Sequence, residues 1–218
     1  MIKPESLAFL TELAANNDRV WFAENRERYE TAKADVLTFV EELIPLVAAA
    51  DPEFPLGGDP KKSLLRIYRD VRFSKNKDPY KSNYGIAFAT KGYHGAEYYL
   101  QLQPGKSYFA AGYWQPESAD LKSIREEVDY NTDEFLEIIH AKSFTDLFTI
   151  SREDTLKNAP KGYDPEHPQI DLLKLKSFVA IFPIADEELF KPTIVNHLKK
   201  VFKGASPFVQ FLRKAVVQ

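Results

Sequence analysis

Apolar residues recur at three- and four-residue spacing towards both ends of this chain and alternate with polar ones in its middle, so the pattern predicts helices around a sheet. Phe9, Leu10 and Leu13 follow a Pro4 placed where a first helical turn tolerates proline, and their stripe stops near Asn16-Asn17. Asp18 reads as the N-cap of a longer helix whose buried stripe is Trp21, Asn25, Tyr29, Ala32, Val36, Val40, Leu43 and Val47. Pro45 is expected to end or kink it. Residues 51–62, rich in Pro and Gly, read as a loop.

From Ser63 the period becomes two. Read as a strand, Leu65, Ile67, Val71 and Phe73 share one face, broken only by Arg69, and Arg66, Tyr68, Asp70 and Arg72 share the other. Asn76, Asp78 and Pro79 then mark a loop. Gly85 to Thr90, Glu97 to Gln103 and Ser107 to Tyr113 read as further strands, joined by a Gly92-Tyr93-His94-Gly95 turn and a Pro104-Gly105 turn. Short turns imply an antiparallel meander, because parallel strands need long crossovers.

Helical spacing returns after Pro116 with Leu121, Ile124 and Val128; Arg125 lies close to that stripe and needs a partner. Asn131 with Glu134 resembles a capping box, and Ser151 with Asp154 repeats it. Leu175 to Phe182 reads as a last strand. Two helices are expected to close the chain, one stopping at Gly204 and one capped by Ser206-Pro207. The whole is read as one α+β domain over 1–218, a mainly antiparallel meander sheet packed with helices from both ends of the chain.

The 218 residues are 44% hydrophobic and 13% aromatic, enough to bury a core. The chain has no cysteine, which removes thiol nucleophiles, disulfides and cysteinyl metal sites, and no signal-peptide pattern or membrane span, so a cytoplasmic location is expected. Charge is uneven. Between residues 59 and 81 eight Lys or Arg face three Asp, a local +5 on a chain of net −3.

That basic island supplies the candidate chemistry. Arginine stays protonated, so Arg66, Arg69 and Arg72, with Lys77, Lys81, Tyr80, Tyr99 and Arg125, are candidates for holding an anion. Asp70, flanked by cations, is expected to be acidic, and it can brace the fork of Arg72 or reach toward Arg66. Asp70, Tyr68, Lys77 and Tyr80 are the candidates for proton transfer. Gly57-Gly58-Asp59-Pro60-Lys61-Lys62-Ser63 echoes the end of a phosphate loop but lacks the glycine before its lysine. His94, His140, His167 and His197 are scattered, and no metal site is expected.

Arg66-x-x-Arg69-Asp70-x-Arg72-Phe73-x-x-Asn76-Lys77-x-x-Tyr80 resembles the signature of a family of bacterial and fungal proteins of about this length, a domain of unknown function. The opening Asn17-x-Arg19-x-Trp21-Phe22-x-x-Asn25-Arg26-x-x-Tyr29, Gly112-x-Trp114-x-Pro116 and Pro160-Lys161-Gly162-Tyr163 are similar to that family too. The resemblance implies that these residues matter and implies no particular activity or cofactor.

Three functional classes follow. The first is a pocket on the Arg-Tyr-Asp-Arg face for a small phosphate- or carboxylate-bearing metabolite, with or without turnover. The second is nucleic-acid binding through the basic island, which the acidic remainder of the chain opposes. The third is a structural or protein-interaction role, with the motif as internal ion pairs.

Overall fold

Proline at the first turn of a helix forfeits no intrahelical bond, because the first amides have no partner there. Pro4 opens α1 (Pro4–Ala15) in this way, and Phe9, Leu10 and Leu13 are buried as expected. A computed structural model describes residues 1–54, 58–89 and 95–216. Asp18 caps α2 (Arg19–Glu24), accepting from the amides of Val20 at 2.8 Å and Trp21 at 2.9 Å. The single long helix expected after it breaks at Asn25, whose ψ of 18° ends α2 and starts α3 (Arg26–Ala50). Asn25 stitches the junction, donating to the Trp21 carbonyl at 2.9 Å and accepting from Arg28 at 3.0 Å.

Pro45 does not end α3, which continues to Ala50. Its missing N–H costs one bond of the ladder, and buried Leu43, Ile44 and Val47 on either side hold the helix together. Where a loop was expected, Asp59 caps a single turn, α4 (Pro60–Ser63). Residues 55–57 of that loop lie outside the described residues.

The strands follow as β1 (Tyr84–Phe88), β2 (Glu97–Leu102) and β3 (Ser107–Tyr113). Thr90 of the first expected strand and 92–94 of the expected turn lie outside the described residues. Then come α5 (Ser118–Tyr130), α6 (Thr132–His140), α7 (Lys142–Thr145), a two-residue strand β4 (Thr149–Ile150), α8 (Ile170–Leu173), β5 (Phe178–Ile184), α9 (Asp186–Leu189) and α10 (Ile194–Val216). The sheet is antiparallel, in the order β1-β2-β3-β5-β4, so the fold is α+β. Alternation is clean on β2, where Tyr98, Leu100 and Leu102 are buried and Glu97, Tyr99 and Gln101 are partly exposed.

Three expected helix boundaries are corrected. Asn131 caps α6 by position only, since its side chain donates to Glu127 at 2.8 Å and Glu134 instead meets Lys214 at 3.3 Å. No helix starts at Ser151; Asp154 pairs with Lys176 and accepts from Ser177. The two closing helices are one, α10, running through Gly204 and Pro207. A Cβ at position 204 would lie 2.7 Å from the carbonyl oxygen of Ser143, so this glycine serves close approach and not termination.

The chain groups into two compact units, the first comprising Met1–Thr90, Tyr99–Phe109 and Pro183–Phe202, the second Lys91–Tyr98, Ala110–Phe182 and Lys203–Gln218. In the first, Phe88 and Phe109 meet Phe202 edge-on at 5.4 and 5.1 Å. In the second, Phe135 sits among Phe178, Phe208 and Phe211, with ring centroids 6.4, 6.0 and 5.0 Å away.

Candidate functional site

The expected Arg-Tyr-Asp-Arg strand does not form. Residues 64–69 are held by isolated pairings: Leu64 bridges Ile86, Leu65 N–H donates to the Gly85 carbonyl at 2.8 Å, and Tyr68 bridges Tyr80. Lys81 N–H donates to the Ile67 carbonyl at 2.7 Å and Arg69 N–H to that of Pro79 at 2.9 Å. The alternation in the sequence does not correspond to one buried face. Ile67 is buried, whereas Leu65 is 41% and Phe73 96% exposed. Residues 69–79 fold back as a finger, turned by Asn76, whose side chain accepts from the Asp78 amide at 2.8 Å, and braced by Lys77 Nζ on the Val71 carbonyl at 2.9 Å.

Most of the charged motif is spent inside this finger. Arg72 grips Asp70 with Nε at 3.0 Å and Nη2 at 2.6 Å, and its amide adds a bond at 3.2 Å. The Arg72 fork, then its amide, then the field of Arg66 hold the Asp70 carboxyl below the usual carboxylate range, as its setting predicts. Arg69 stands 3.8 Å from Asp78.

The base of the finger is an aromatic anchor. Tyr80 lies flat on Phe22, centroids 4.0 Å apart and planes 14° apart, with Tyr68 5.4 Å away. Asn17 reads the backbone of Tyr80 from both sides, donating to its carbonyl at 3.0 Å and accepting its amide at 3.1 Å. Burial, then the neighbouring Tyr68, push the Tyr80 phenol above its ordinary value, and burial pushes Tyr29 up to about 12. Both phenols stay protonated at neutral pH, which suits packing and hydrogen-bond donation better than a base's work.

Arg66 and Lys81 differ from the rest. Neither side chain has a carboxylate partner or a hydrogen bond among the described residues. The pairings at Leu65 and Ile67 set Arg66 between them, across from residues 82–84, and set Lys81 against Ile67. Lys81 is half-buried, and loss of water, then the positive charge of Arg66, hold its ammonium below the ordinary lysine value. Two residues on, Asn83 begins a polar ladder. Its amide donates to Gln101 Oε1 at 3.5 Å, Tyr99 Oη donates to the same oxygen at 3.3 Å, and Gln101 Nε2 passes a bond to Gln103 at 2.8 Å. Gly85 makes room, because a Cβ there would lie 2.8 Å from Tyr99 Oη. Burial pushes the Tyr99 phenol up to about 12, so it too remains a donor.

The structure thus brings Arg66, Arg69, Asp70, Arg72, Lys77, Tyr68, Tyr80, Lys81 and Tyr99 into the first unit and Arg125 into the second. The partner that Arg125 needs is the main chain: Nε donates to the Leu173 carbonyl at 2.7 Å and Nη2 to that of Leu175 at 3.0 Å. Asn17, Asn83 and Gly85 were not singled out as site residues from sequence. The amides carry no charge signal, although period-two alternation in Glu97 to Gln103 sets Gln101 and Gln103 on one face with Tyr99. Among the described residues no group of three or more His, Asp or Glu is placed to hold a metal. A depression of about 620 Å³ elsewhere, in the second unit, is lined by Glu126, Glu127, Asp129, Tyr130 and Lys214.

Neither the curated proteins nor the solved structures gave a match. A family model described as conserved hypothetical protein (DUF2461) matches residues 5–211, and the chain belongs to that family.

Proposed function

We propose that the protein binds a small phosphate- or carboxylate-bearing metabolite through Arg66 and Lys81. The observation that carries this reading is the contrast within the motif: Arg72, Arg69 and Lys77 each have an acceptor in the finger, whereas Arg66 and Lys81, on facing segments, have none among the described residues. Two unneutralised cations, one of them partly desolvated, raise each other's free energy, and an anion between them relieves it. Arg66 offers a planar fork and Lys81 a point charge, the pairing suited to a phosphate or carboxylate. The polar ladder of Asn83, Tyr99, Gln101 and Gln103 adjoins them with donors and acceptors for the hydroxyls of such a ligand.

Arg69, Asp70, Arg72, Lys77 and Tyr80 support that site by building the finger. This part of the motif also favours the reading of the motif as internal ion pairs, so the two readings divide the residues between them. Titration calorimetry with inorganic phosphate, sugar phosphates and organic acids tests the binding reading. A ligand that binds wild type and the Arg66→Ala, Lys81→Met double variant equally would refute the assignment.

A further inference from the structure

A segment that spends its polar groups on itself keeps its shape before it meets anything, and an aromatic ring displayed on it is an anchor that needs little further ordering. The finger is built in this way. Arg72 grips Asp70, Lys77 holds the Val71 carbonyl, Asn76 accepts from the Asp78 amide, and Asn17 and Phe22 clamp the base at Tyr80. On this frame stands Phe73, 96% exposed, with the Arg72 guanidinium 6.0 Å from its ring and exposed Lys75 two residues on. Aromatic and Arg side chains are the ones on which protein interfaces concentrate their binding energy.

The complement of such a tip is an aromatic surface in acidic surroundings, and the same chain carries one. Residues 117–137 hold eight carboxylates against Lys122 and Arg125, a net −6 that answers the +5 of residues 59–81. There, in the second unit, the depression of about 620 Å³ is lined by Glu126, Glu127, Asp129 and Tyr130. Tyr130 is 89% exposed, so Phe73 and Tyr130 are the two most exposed aromatic rings among the described residues, and they lie in blocks of opposite charge. Glu127 meets Lys214 at 3.2 Å and Asp129 meets His167 at 3.0 Å, whereas Glu126 has exposed Lys122 at 3.4 Å, a pair that water weakens.

We propose that the protein associates with a second copy of itself, the Phe73 finger of one copy seated in the Tyr130 depression of another. The two rings leave water together, and the cations of the finger face Glu126 and its neighbours. The contact joins two different patches, so used twice it closes a pair and used once per copy it extends a chain. It draws on neither Arg66 nor Lys81 and is independent of the anion site.

Sedimentation velocity of the full chain, over a concentration series up to about 100 µM at low and at high salt, tests it. Phe73→Ser removes the anchor, and Lys75→Glu and Glu126→Lys each reverse one charge. All three side chains are exposed, so each variant should unfold thermally as the wild type does. Expected is association of the wild type that weakens by about tenfold or more at high salt, in Phe73→Ser and in each charge variant alone. Mixing Lys75→Glu with Glu126→Lys should restore it, because the mixed contacts again join unlike charges. A wild type that stays monomeric at low salt overturns the proposal, as does association that all three variants leave unchanged. A monomer whose sedimentation shifts with a single-stranded oligonucleotide, and no longer does so in Phe73→Ser, overturns it too and gives the finger to nucleic acid.

Discussion

Two pairs of cations, one pair in each unit, are placed in opposite ways. In the second unit Arg213 is 1% exposed and gives its Nε to the Ala96 carbonyl at 2.9 Å, beside the Tyr98 ring, and Arg125 spends its fork on Leu173 and Leu175. In the first unit Arg66 and half-buried Lys81 adjoin each other with no acceptor among the described residues. A cation that donates to a main-chain carbonyl helps to hold its own fold together. One kept near another positive charge works against folding until something negative arrives.

The sharpest way to break this contrast is at Arg213. Replacing it with Ala leaves the Ala96 carbonyl without its bond and a cavity in the second core, so stability should fall by about 3 to 5 kcal/mol in chemical denaturation. Arg125→Ala removes charge-assisted bonds to two carbonyls near the end of α8. It should cost about 1.5 to 3 kcal/mol by the same measurement.

A pH prediction comes from the aromatic anchor. Burial raises Tyr29 from an ordinary value near 10 to about 12, so the folded chain keeps a proton there that the unfolded chain has lost. Its contribution is present in full below the unfolded value and disappears as pH rises through about 12, a loss on the order of 2 kcal/mol. Tyr29→Phe should flatten that alkaline decline in equilibrium unfolding while preserving the ring contact with Phe22.

The smallest effect is expected where the ligand reading needs it. Arg66→Ala and Lys81→Met should each change stability by less than about 0.5 kcal/mol, or raise it slightly, because each removes one of two like charges. A loss as large as that of Arg125→Ala would mean that these residues hold the fold, and the contrast between the units would vanish.

Much of this architecture could be read from local signals. Pro4, the Asp18 cap and the alternation on β2 each rest on a rule that acts within a few residues, and each matches the structure. What failed depended on distant partners. Pro45 and Gly204 read as helix ends and Ser206-Pro207 as the start of another helix, yet packing keeps both long helices intact. The Asn131 box is absent, with Asn131 donating to Glu127 and Glu134 meeting Lys214 from the far end of the chain. The alternation of Leu65, Ile67, Val71 and Phe73 mimicked a strand because a braced finger also contains apolar residues, one of them almost wholly exposed. Within the site, the i, i+2 spacing of Asp70 and Arg72 foretold their pairing and the acidity of Asp70. No spacing rule could show which cations would be left without an acceptor, since that depends on where every carboxylate ends up.

The most direct measurement compares thermal unfolding of the wild type with the Arg66→Ala, Lys81→Met double variant across inorganic phosphate, sugar phosphates and organic acids. A ligand at a hundred times its dissociation constant adds about 2.7 kcal/mol, which raises the melting temperature of a chain this size by roughly 5 to 10 °C. Binding at Arg66 and Lys81 requires that shift in the wild type and its disappearance in the variant, with the unliganded melting temperatures alike. An equal shift in both proteins would place the anion elsewhere and leave the motif as the scaffold of its own finger.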